Sequence, residues 1–310
     1  MKLSFVFPGQ GSQSVGMMQG FDRLPIVRET FTEAADILGV DIWQMVNSGT
    51  AEQLGMTVNT QPVMLAAGVA TYRAWLDQGG LSPEVMAGHS LGEYSALVAA
   101  GALSFADALP LVRLRAEAMQ SAVAEGVGAM AAILGLDDDV VRGVCTEAAQ
   151  AEVLEPVNFN SPGQVVIAGN KAAVERGMAL AKEKGAKRAL LLPVSVPSHC
   201  ALMRPAAVQL AAYLESVTIH SPRISVLHNA DVMAYSDPAQ IRSALARQLY
   251  NPVRWVETIC AMAAQGVTHS VECGPGKVLA GLNKRIDNSI QVYALTSVDA
   301  INEIKSVLAG

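Results

Sequence analysis

Short apolar runs of β-strand character alternate with longer segments of helical period along most of the chain. This alternation is the strongest constraint on the fold, because strands separated by helices pair in parallel and form an α/β sheet. The predicted strands cover residues 3–7, 83–88, 224–227 and 270–272. The predicted helices cover 25–38, 62–76, 104–123, 202–214, 237–249 and 252–265, with Ser104 as an N-cap.

The pattern changes between residues 127 and 194, where the predicted elements follow the order β-α-β-β-α-β. This order is typical of a ferredoxin-like unit, and a segment of this size can bury its own core. We therefore expect a ferredoxin-like subdomain over 127–194, inserted into a larger catalytic core formed by residues 1–126 and 195–310.

The composition fits a compact protein, since 51 % of the residues are hydrophobic and only 16 % are charged. The formal charge of −6 and the lack of a long basic run argue against nucleic acid as a partner. No stretch approaches the roughly 20 apolar residues of a membrane helix, so we expect a soluble, cytoplasmic protein without a membrane partner. The cysteines form no CxxC pair and are expected to be reduced and mostly buried, not metal ligands: Cys145, Cys200, Cys260 and Cys273.

Residues 88–92, Gly-His-Ser-Leu-Gly, match the G-x-S-x-G pattern of a nucleophile elbow, a tight turn between a strand and a helix. Gly88 and Gly92 suit such a turn because it brings backbones too close together for a Cβ. Ser90 is therefore a candidate nucleophile, and the fold class becomes an α/β-hydrolase-like core with a parallel sheet. The alternative is an ordinary helix-entry turn in which Ser90 is only a cap.

A serine nucleophile needs a base, and the chain has five histidines. His89 adjoins the nucleophile and should point elsewhere from the turn. His220, His228 and His269 lie near helix ends or strands, where core and surface roles are common. His199 follows a strand-like run and precedes a helix, so it can project into a cleft; from the residues alone it is one of several candidates.

Five motifs occur in the order found in the malonyl-CoA:acyl carrier protein transacylases. They are Pro-Gly-Gln-Gly-Ser-Gln (8–13), Gly-His-Ser-Leu-Gly-Glu-Tyr (88–94), Asn-Phe-Asn-Ser-Pro-Gly-Gln (158–164), Pro-Ser-His (197–199) and Glu-Cys-Gly-Pro-Gly (272–276). The chain resembles this family over its whole length, in its stand-alone bacterial form of dissociated fatty-acid synthesis. The resemblance implies transfer of malonyl from malonyl-CoA to the phosphopantetheine thiol of holo acyl carrier protein, through a malonyl-serine. No metal or bound cofactor is expected, because the sequence has no cluster of metal ligands and its first loop lacks the G-x-G-x-x-G spacing.

The resemblance also implies a role for individual residues. Ser90 would be the nucleophile and His199 the general base, oriented by a backbone carbonyl near Gln248 instead of a carboxylate. Backbone N–H groups of Gln10 and Leu91 would form the oxyanion hole. Without the resemblance, Gln10 would be interpreted as an ordinary loop residue and Gln248 as a surface residue at a helix end.

Malonyl ends in a free carboxylate, and the family's malonyl pocket is matched by Arg115 and Met119, four positions apart on one helix face. A guanidinium can bind a carboxylate through two parallel hydrogen bonds. A neutral acyl group would leave Arg115 buried and unpaired, so acetyl should be disfavoured. The other substrate-binding residues that the resemblance implies are Gln10, Asn160 and Ser198.

Both expected partners are acidic, since CoA carries phosphates and carrier proteins of this kind are typically acidic. We expect positive patches to offset the net charge of the enzyme, and our hypothesis is that Arg188, Lys284 and Arg285 contribute to carrier docking. Solvated helix faces are an equal alternative for these cations. A monomer is expected.

Three other functions remain open. A serine hydrolase with the same elbow would release a free acid to water, although no acidic partner for the base is evident. A catalytically silent carrier-binding module would not need Ser90, His199 and Arg115 intact. A transferase that loads methylmalonyl would differ in pocket size near Ser198.

Overall fold

The computed structural model describes residues 1–194 and 196–309, so the expected limits of the second core segment, 195 and 310, lie outside the described residues. The strands in this part of the chain are β1 (Leu3–Phe7), β2 (Val85–Gly88), β3 (Gly128–Leu134), β4 (Leu154–Ser161), β5 (Gln164–Asn170), β6 (Arg188–Leu191), β7 (Ser225–Leu227), β8 (His269–Cys273) and β9 (Gln291–Leu295). The α-helices there are α1 (Pro25–Leu38), α2 (Ile42–Ser48), α3 (Ala51–Gly55), α4 (Thr57–Asp77), α5 (Gly92–Ala99), α6 (Phe105–Ser121), α7 (Asp138–Ala149), α8 (Lys171–Glu183), α9 (Arg204–Leu214), α10 (Pro238–Gln248), α11 (Trp255–Ala264), α12 (Val278–Ile286) and α13 (Val298–Ala309).

The larger sheet has the strand order β7-β2-β1-β8-β9, and every pair in it is parallel. β1 lies at its centre and is buried along its whole length, as its unbroken apolar sequence requires of a strand covered on both faces. Because the strands are parallel, the segments that follow β1, β2, β7 and β8 meet at one edge of the sheet. That edge is where a site is expected in an open α/β sheet.

The smaller sheet has the order β4-β5-β3-β6 and is antiparallel. Together with α7 and α8 it forms the β-α-β-β-α-β arrangement of a ferredoxin-like unit. One of its faces meets the segment that carries Cys200, in an apolar cluster with Met130, Val157, Val166 and Ala168. The parallel sheet and the ferredoxin-like unit confirm the expected fold class; the division of the chain at residues 127 and 194 stays a prediction.

Most predicted elements are present with limits that differ by a few residues. Ser104 caps α6 as expected, since its hydroxyl accepts from the Asp107 N–H at 2.9 Å. The predicted start of α4 is wrong: the helix begins at Thr57, and Pro62 lies inside it. Proline is common in the first helical turn, which made Pro62 the expected start. Cys260 is exposed, whereas the other three cysteines are buried.

The elbow glycines give a direct test of close packing. A Cβ at Gly88 would overlap the backbone of Gly92, whereas a Cβ at Gly143 in α7 would meet nothing within 4 Å. We expect Gly88→Ala to lower the free energy of unfolding by about 1–3 kcal/mol because the backbone must shift. Gly143→Ala, the control, should raise it by about 0.5–1 kcal/mol. Urea unfolding of both variants measures the difference, and a neutral Gly88→Ala would contradict the assigned contact.

Candidate active site

Ser90 lies on the turn between β2 and α5, with a left-handed backbone (φ 51°) that is disfavoured for a residue with a Cβ. The turn is held by a side chain from the segment after β7, because Asn229 Oδ1 accepts from the Ser90 N–H at 2.7 Å. Asn229 Nδ2 also donates to the Gly88 carbonyl at 2.6 Å. The conformation expected of a nucleophile elbow is therefore fixed from outside the turn.

The His199 imidazole bridges the serine and a main-chain carbonyl. Its Nε2 lies 2.8 Å from Ser90 Oγ, and its Nδ1 lies 2.7 Å from the Gln248 carbonyl oxygen. A carbonyl only accepts hydrogen bonds, so Nδ1 carries the proton and Nε2 presents a lone pair to the serine hydroxyl. Burial, followed by the positive charge of Arg115, lowers the pKa of His199 to about 3. The imidazole is thus neutral and able to accept a proton.

Arg115 is 1 % exposed, and its guanidinium also contacts the serine. Its Nη2 donates to Ser90 Oγ at 3.2 Å and to Gln248 Oε1 at 2.9 Å, and its Nη1 donates to Gln61 Oε1 at 2.7 Å. Among the described residues it forms no ion pair with a carboxylate, and its Nε has no hydrogen-bond partner. A buried cation with only neutral partners favours a bound anion.

A cleft of about 200 Å³ brings the sequence-predicted residues together between the two sheets. The smaller sheet contributes apolar side chains, among them Met130 and Val166. Met119 is buried, and its sulfur accepts from Gln61 Nε2 at 3.6 Å. The predicted residues that line the cleft are Gln10, Ser90, Leu91, Arg115, Met119, Asn160, Ser198 and His199.

Two backbone N–H groups in this cleft are free to bind an oxyanion. Within residues 1–194 and 196–309, neither the Gln10 N–H nor the Leu91 N–H donates to a protein acceptor, although their neighbours Gly11 and Gly92 do. Leu91 also directly precedes α5, whose N-terminus favours negative charge. An oxyanion hole needs unpaired donors of this kind, and the role of Gln10 and Leu91 in one stays a prediction.

Gln248 and Asn160 have more contacts than the sequence indicates. The Gln248 side chain is buried and donates through Nε2 to the Ser90 carbonyl at 3.0 Å and to Glu93 Oε2 at 2.9 Å. The surface position considered for it from the residues alone is therefore wrong. Asn160 Oδ1 lies 2.8 Å from His89 Nε2, which gives this histidine a partner other than the serine.

Glu93, Asn229 and Gln61 support the site and were missed as functional residues. Glu93 stands inside the 88–94 motif, three positions after Ser90, and that placement was the available signal. Asn229 and Gln61 have no such signal, since neither lies in a motif; only the fold brings them to the elbow and to Arg115.

The three cations considered for carrier docking lie outside the cleft and are exposed. Arg285, in α12, donates to Gln164 Oε1 at 2.7 Å and so links the larger unit to β5. Gln164, Leu134 and Arg188 are aligned in one row across three strands of the smaller sheet. Arg188 and Arg285 therefore lie at the same end of that sheet.

Comparisons with known proteins show the family of the chain. Residues 4–298 match the model of the acyl transferase domain, and the chain belongs to that family. A malonyl CoA-acyl carrier protein transacylase of Haemophilus influenzae is 58 % identical over 99 % of both chains. The crystal structure of an acyl-carrier-protein S-malonyltransferase from Burkholderia pseudomallei is 58 % identical, with a TM-score of 0.97 over 99 % of this chain and 100 % of the other. A type II PKS acyl-carrier protein complex with its malonyl-transacylase matches with a TM-score of 0.98 at 51 % identity, over 99 % of this chain and 100 % of the other.

Two further features concern ligands and membranes. In the part of the chain that the structure describes, no three His, Cys, Asp or Glu side chains converge in a way that could hold a metal ion. None of the described helices is both long enough and apolar enough to span a membrane.

The environment of His199 predicts an unusual titration. We expect its imidazole to stay neutral from pH 8 down to about pH 5, because burial and Arg115 both disfavour the charged form. In Arg115→Met the pKa should rise but stay below the ordinary value, since burial remains. Nuclear magnetic resonance of isotope-labelled histidine follows both proteins, and a wild-type His199 that titrates near pH 6.5 would contradict this environment.

Proposed function

We propose that this protein moves malonyl from malonyl-CoA to the phosphopantetheine thiol of holo acyl carrier protein, through a malonyl ester of Ser90, and so supplies fatty-acid synthesis. One observation carries this function: Ser90 Oγ lies 2.8 Å from His199 Nε2 and 3.2 Å from the Arg115 guanidinium. A base and a carboxylate receptor thus contact one nucleophile.

In the first half-reaction, Ser90 Oγ attacks the thioester carbonyl while its proton passes to His199 Nε2. The negative oxygen of the tetrahedral intermediate accepts hydrogen bonds from the Gln10 and Leu91 N–H groups. The carbon–sulfur bond then breaks, and the proton on Nε2 passes to the leaving CoA sulfur. The products are malonyl-Ser90 and free CoA.

The second half-reaction runs the same steps with a new thiol. The phosphopantetheine thiol of the carrier gives its proton to His199 Nε2 as its sulfur attacks the ester carbonyl. Collapse of the intermediate breaks the bond between the carbonyl carbon and Ser90 Oγ, which recovers the proton. These steps balance with groups of the chain, malonyl-CoA and the carrier thiol, and the proposed mechanism assigns no role to a metal or bound cofactor.

Arg115 gives the acyl specificity in this proposal. Its guanidinium is buried and has only neutral partners, so the malonyl carboxylate supplies the missing negative charge. Acetyl would leave the guanidinium unpaired and is disfavoured. Four other side chains line the same cleft and would surround the acyl group: Gln10, Met119, Asn160 and Ser198.

We also infer a cytoplasmic monomer. All the groups that the mechanism uses come from one chain, so no second copy is needed to complete the site. The four cysteines are free thiols, as proteins of a reducing compartment keep them.

Carrier docking is proposed for Arg188, Lys284 and Arg285. Arg188 lies two strands from Gln164, about 10 Å at the usual strand spacing. Arg285 bonds to the same Gln164, so the two cations flank one end of the smaller sheet. Lys284 adjoins Arg285 and is exposed. A cluster of this kind attracts an acidic carrier surface.

The mass of the intact protein tests the reaction. Wild type mixed with one equivalent of malonyl-CoA should gain a malonyl group, keep it in buffer and lose it when holo carrier protein is added. Ser90→Ala should gain nothing, because it lacks the nucleophile. Acetyl-CoA is the specificity control and should label wild type far more slowly. Rapid release of free malonate without the carrier would instead establish a hydrolase, and a wild type that never forms the adduct would favour a silent carrier-binding module.

Charge reversal tests the docking surface. Arg188→Glu and Arg285→Glu should each raise the apparent KM for carrier protein about tenfold and leave labelling by malonyl-CoA intact, because only the second partner contacts these cations. Lys2→Glu changes the charge equally and serves as the control, since Lys2 precedes β1 at the opposite edge of the sheet. Steady-state rates over a range of carrier concentrations measure the effect; equal KM values for all four proteins would reject the surface.

A further inference from the structure

Glu93 is a fully buried carboxylate that hydrogen-bonds to residues of the active site and does not contact the reacting atoms. Its Oε1 accepts from His228 Nδ1 at 2.7 Å. Its Oε2 accepts from the Asn229 N–H at 2.8 Å and from Gln248 Nε2 at 2.9 Å. Three donors converge on one side chain that is 0 % exposed.

The two donors to Oε2 belong to the two residues that hold the strained Ser90 backbone. Asn229 Oδ1 accepts from the Ser90 N–H at 2.7 Å, and Gln248 Nε2 donates to the Ser90 carbonyl at 3.0 Å. Both main-chain polar groups of the left-handed serine are therefore bound by residues that Glu93 holds in turn, Asn229 through its main-chain N–H and Gln248 through its side chain. A single carboxylate oxygen thus sets the position of Asn229 and Gln248, which we call the two clamps of Ser90.

The Gln248 amide also has its orientation set by charge. Its oxygen accepts from Arg115 Nη2, and its nitrogen donates to Glu93 Oε2. A flipped amide would place its NH2 against the guanidinium and its oxygen against the carboxylate, so the observed orientation is the one that both charges favour. The main-chain carbonyl of this residue then accepts from His199 Nδ1.

The charge of Glu93 follows from its donors. A carboxylate that accepts three hydrogen bonds is ionised, since a protonated one would offer a donor to groups that are donors already. His228 Nε2 has no partner among the described residues, so a ring that carries its proton on Nδ1 donates to Glu93 Oε1 and buries no unpaired N–H. The three donors therefore favour the negative charge on Glu93.

We propose that Glu93 is a positioning residue for the malonyl transfer: its carboxylate, acting through Asn229 and Gln248, holds Ser90 and His199 in line for attack. This inference rests on the proposed function. Arg115 keeps its separate bond to Gln61 at 2.7 Å, so malonyl recognition does not depend on Glu93 to the same degree.

Substitution of Glu93 separates positioning from binding. Glu93→Gln keeps the shape of the side chain but offers one acceptor oxygen to three donors. We therefore expect the two clamps, Asn229 and Gln248, to shift. We expect the first-order rate of Ser90 malonylation at saturating malonyl-CoA to fall about 100-fold, as misplacement near 1 Å does elsewhere. The half-saturating malonyl-CoA concentration should change less than about threefold, because Arg115 retains Gln61. Glu93→Asp keeps the charge and should restore part of the rate, and it carries the test if Glu93→Gln does not fold.

Glu272→Gln is the burial-matched control, and the variants are compared well above pH 7, because burial raises the pKa of Glu272 to about 7. Glu272 is equally buried, but its Oε2 accepts from the Ala280 N–H at the start of α12 and bonds to no group of the site. A purely structural role for Glu93 would give both Glu→Gln variants similar losses of thermal stability and of rate. Rapid-quench mass measurements and thermal unfolding of each variant decide between the two roles.

Asn229→Ala, alone and combined with Glu93→Gln, tests whether Glu93 acts on Ser90 through Asn229. If Glu93 acts through Asn229, the double variant should lose much less rate than the product of the two single losses. Multiplicative losses, a wild-type rate in Glu93→Asp or Glu93→Gln, or an equal loss in Glu272→Gln would each overturn the proposal. Failure of wild type to form the malonyl adduct would instead overturn the function itself, so the two failures are distinguishable.

Discussion

The hydrogen bond from His199 Nδ1 to the Gln248 carbonyl is the interaction on which the site depends, at 2.7 Å and fully buried. It assigns the proton to Nδ1 and leaves Nε2 free to face Ser90 Oγ. The acceptor is a neutral carbonyl, so it orients the imidazole ring without placing a negative charge next to Nδ1. The imidazole consequently keeps a low pKa, because burial and Arg115 are not opposed by a carboxylate at Nδ1.

The parallel sheet explains why distant segments reach this hydrogen bond. Ser90 follows β2, the Gln10 loop follows β1 and Asn229 follows β7, and the carboxyl ends of these strands share one edge. The smaller sheet covers that edge and contributes apolar side chains to the cleft. Strand order thus sets where Ser90, Gln10 and Asn229 lie. Buried side chains that hydrogen-bond to the site, Glu93 above all, hold these residues in their orientations.

Much of this architecture could be predicted from the sequence, because the fold rests on patterns that are local. The apolar run of β1, the Ser104 cap and the β-α-β-β-α-β order each depend on neighbouring residues. The start of α4 could not be predicted, since a buried helix tolerates Pro62 in its interior. The motifs indicated Ser90, but the partners of Glu93 lie more than 130 positions away, and only the strand order brings them together.

In the proposed reaction, the positive charge of Arg115 acts both in recognition of the malonyl carboxylate and in catalysis. Arg115 Nη2 lies 3.2 Å from the nucleophile, and its positive charge lowers the pKa of the nearby His199. In the proposed reaction the malonyl carboxylate pairs with this guanidinium and offsets its charge, so the imidazole becomes a better base when the correct acyl group is bound. A neutral acyl group leaves the charge uncompensated and the base weak. In the proposed reaction, selection for malonyl therefore acts on the rate of attack as well as on binding.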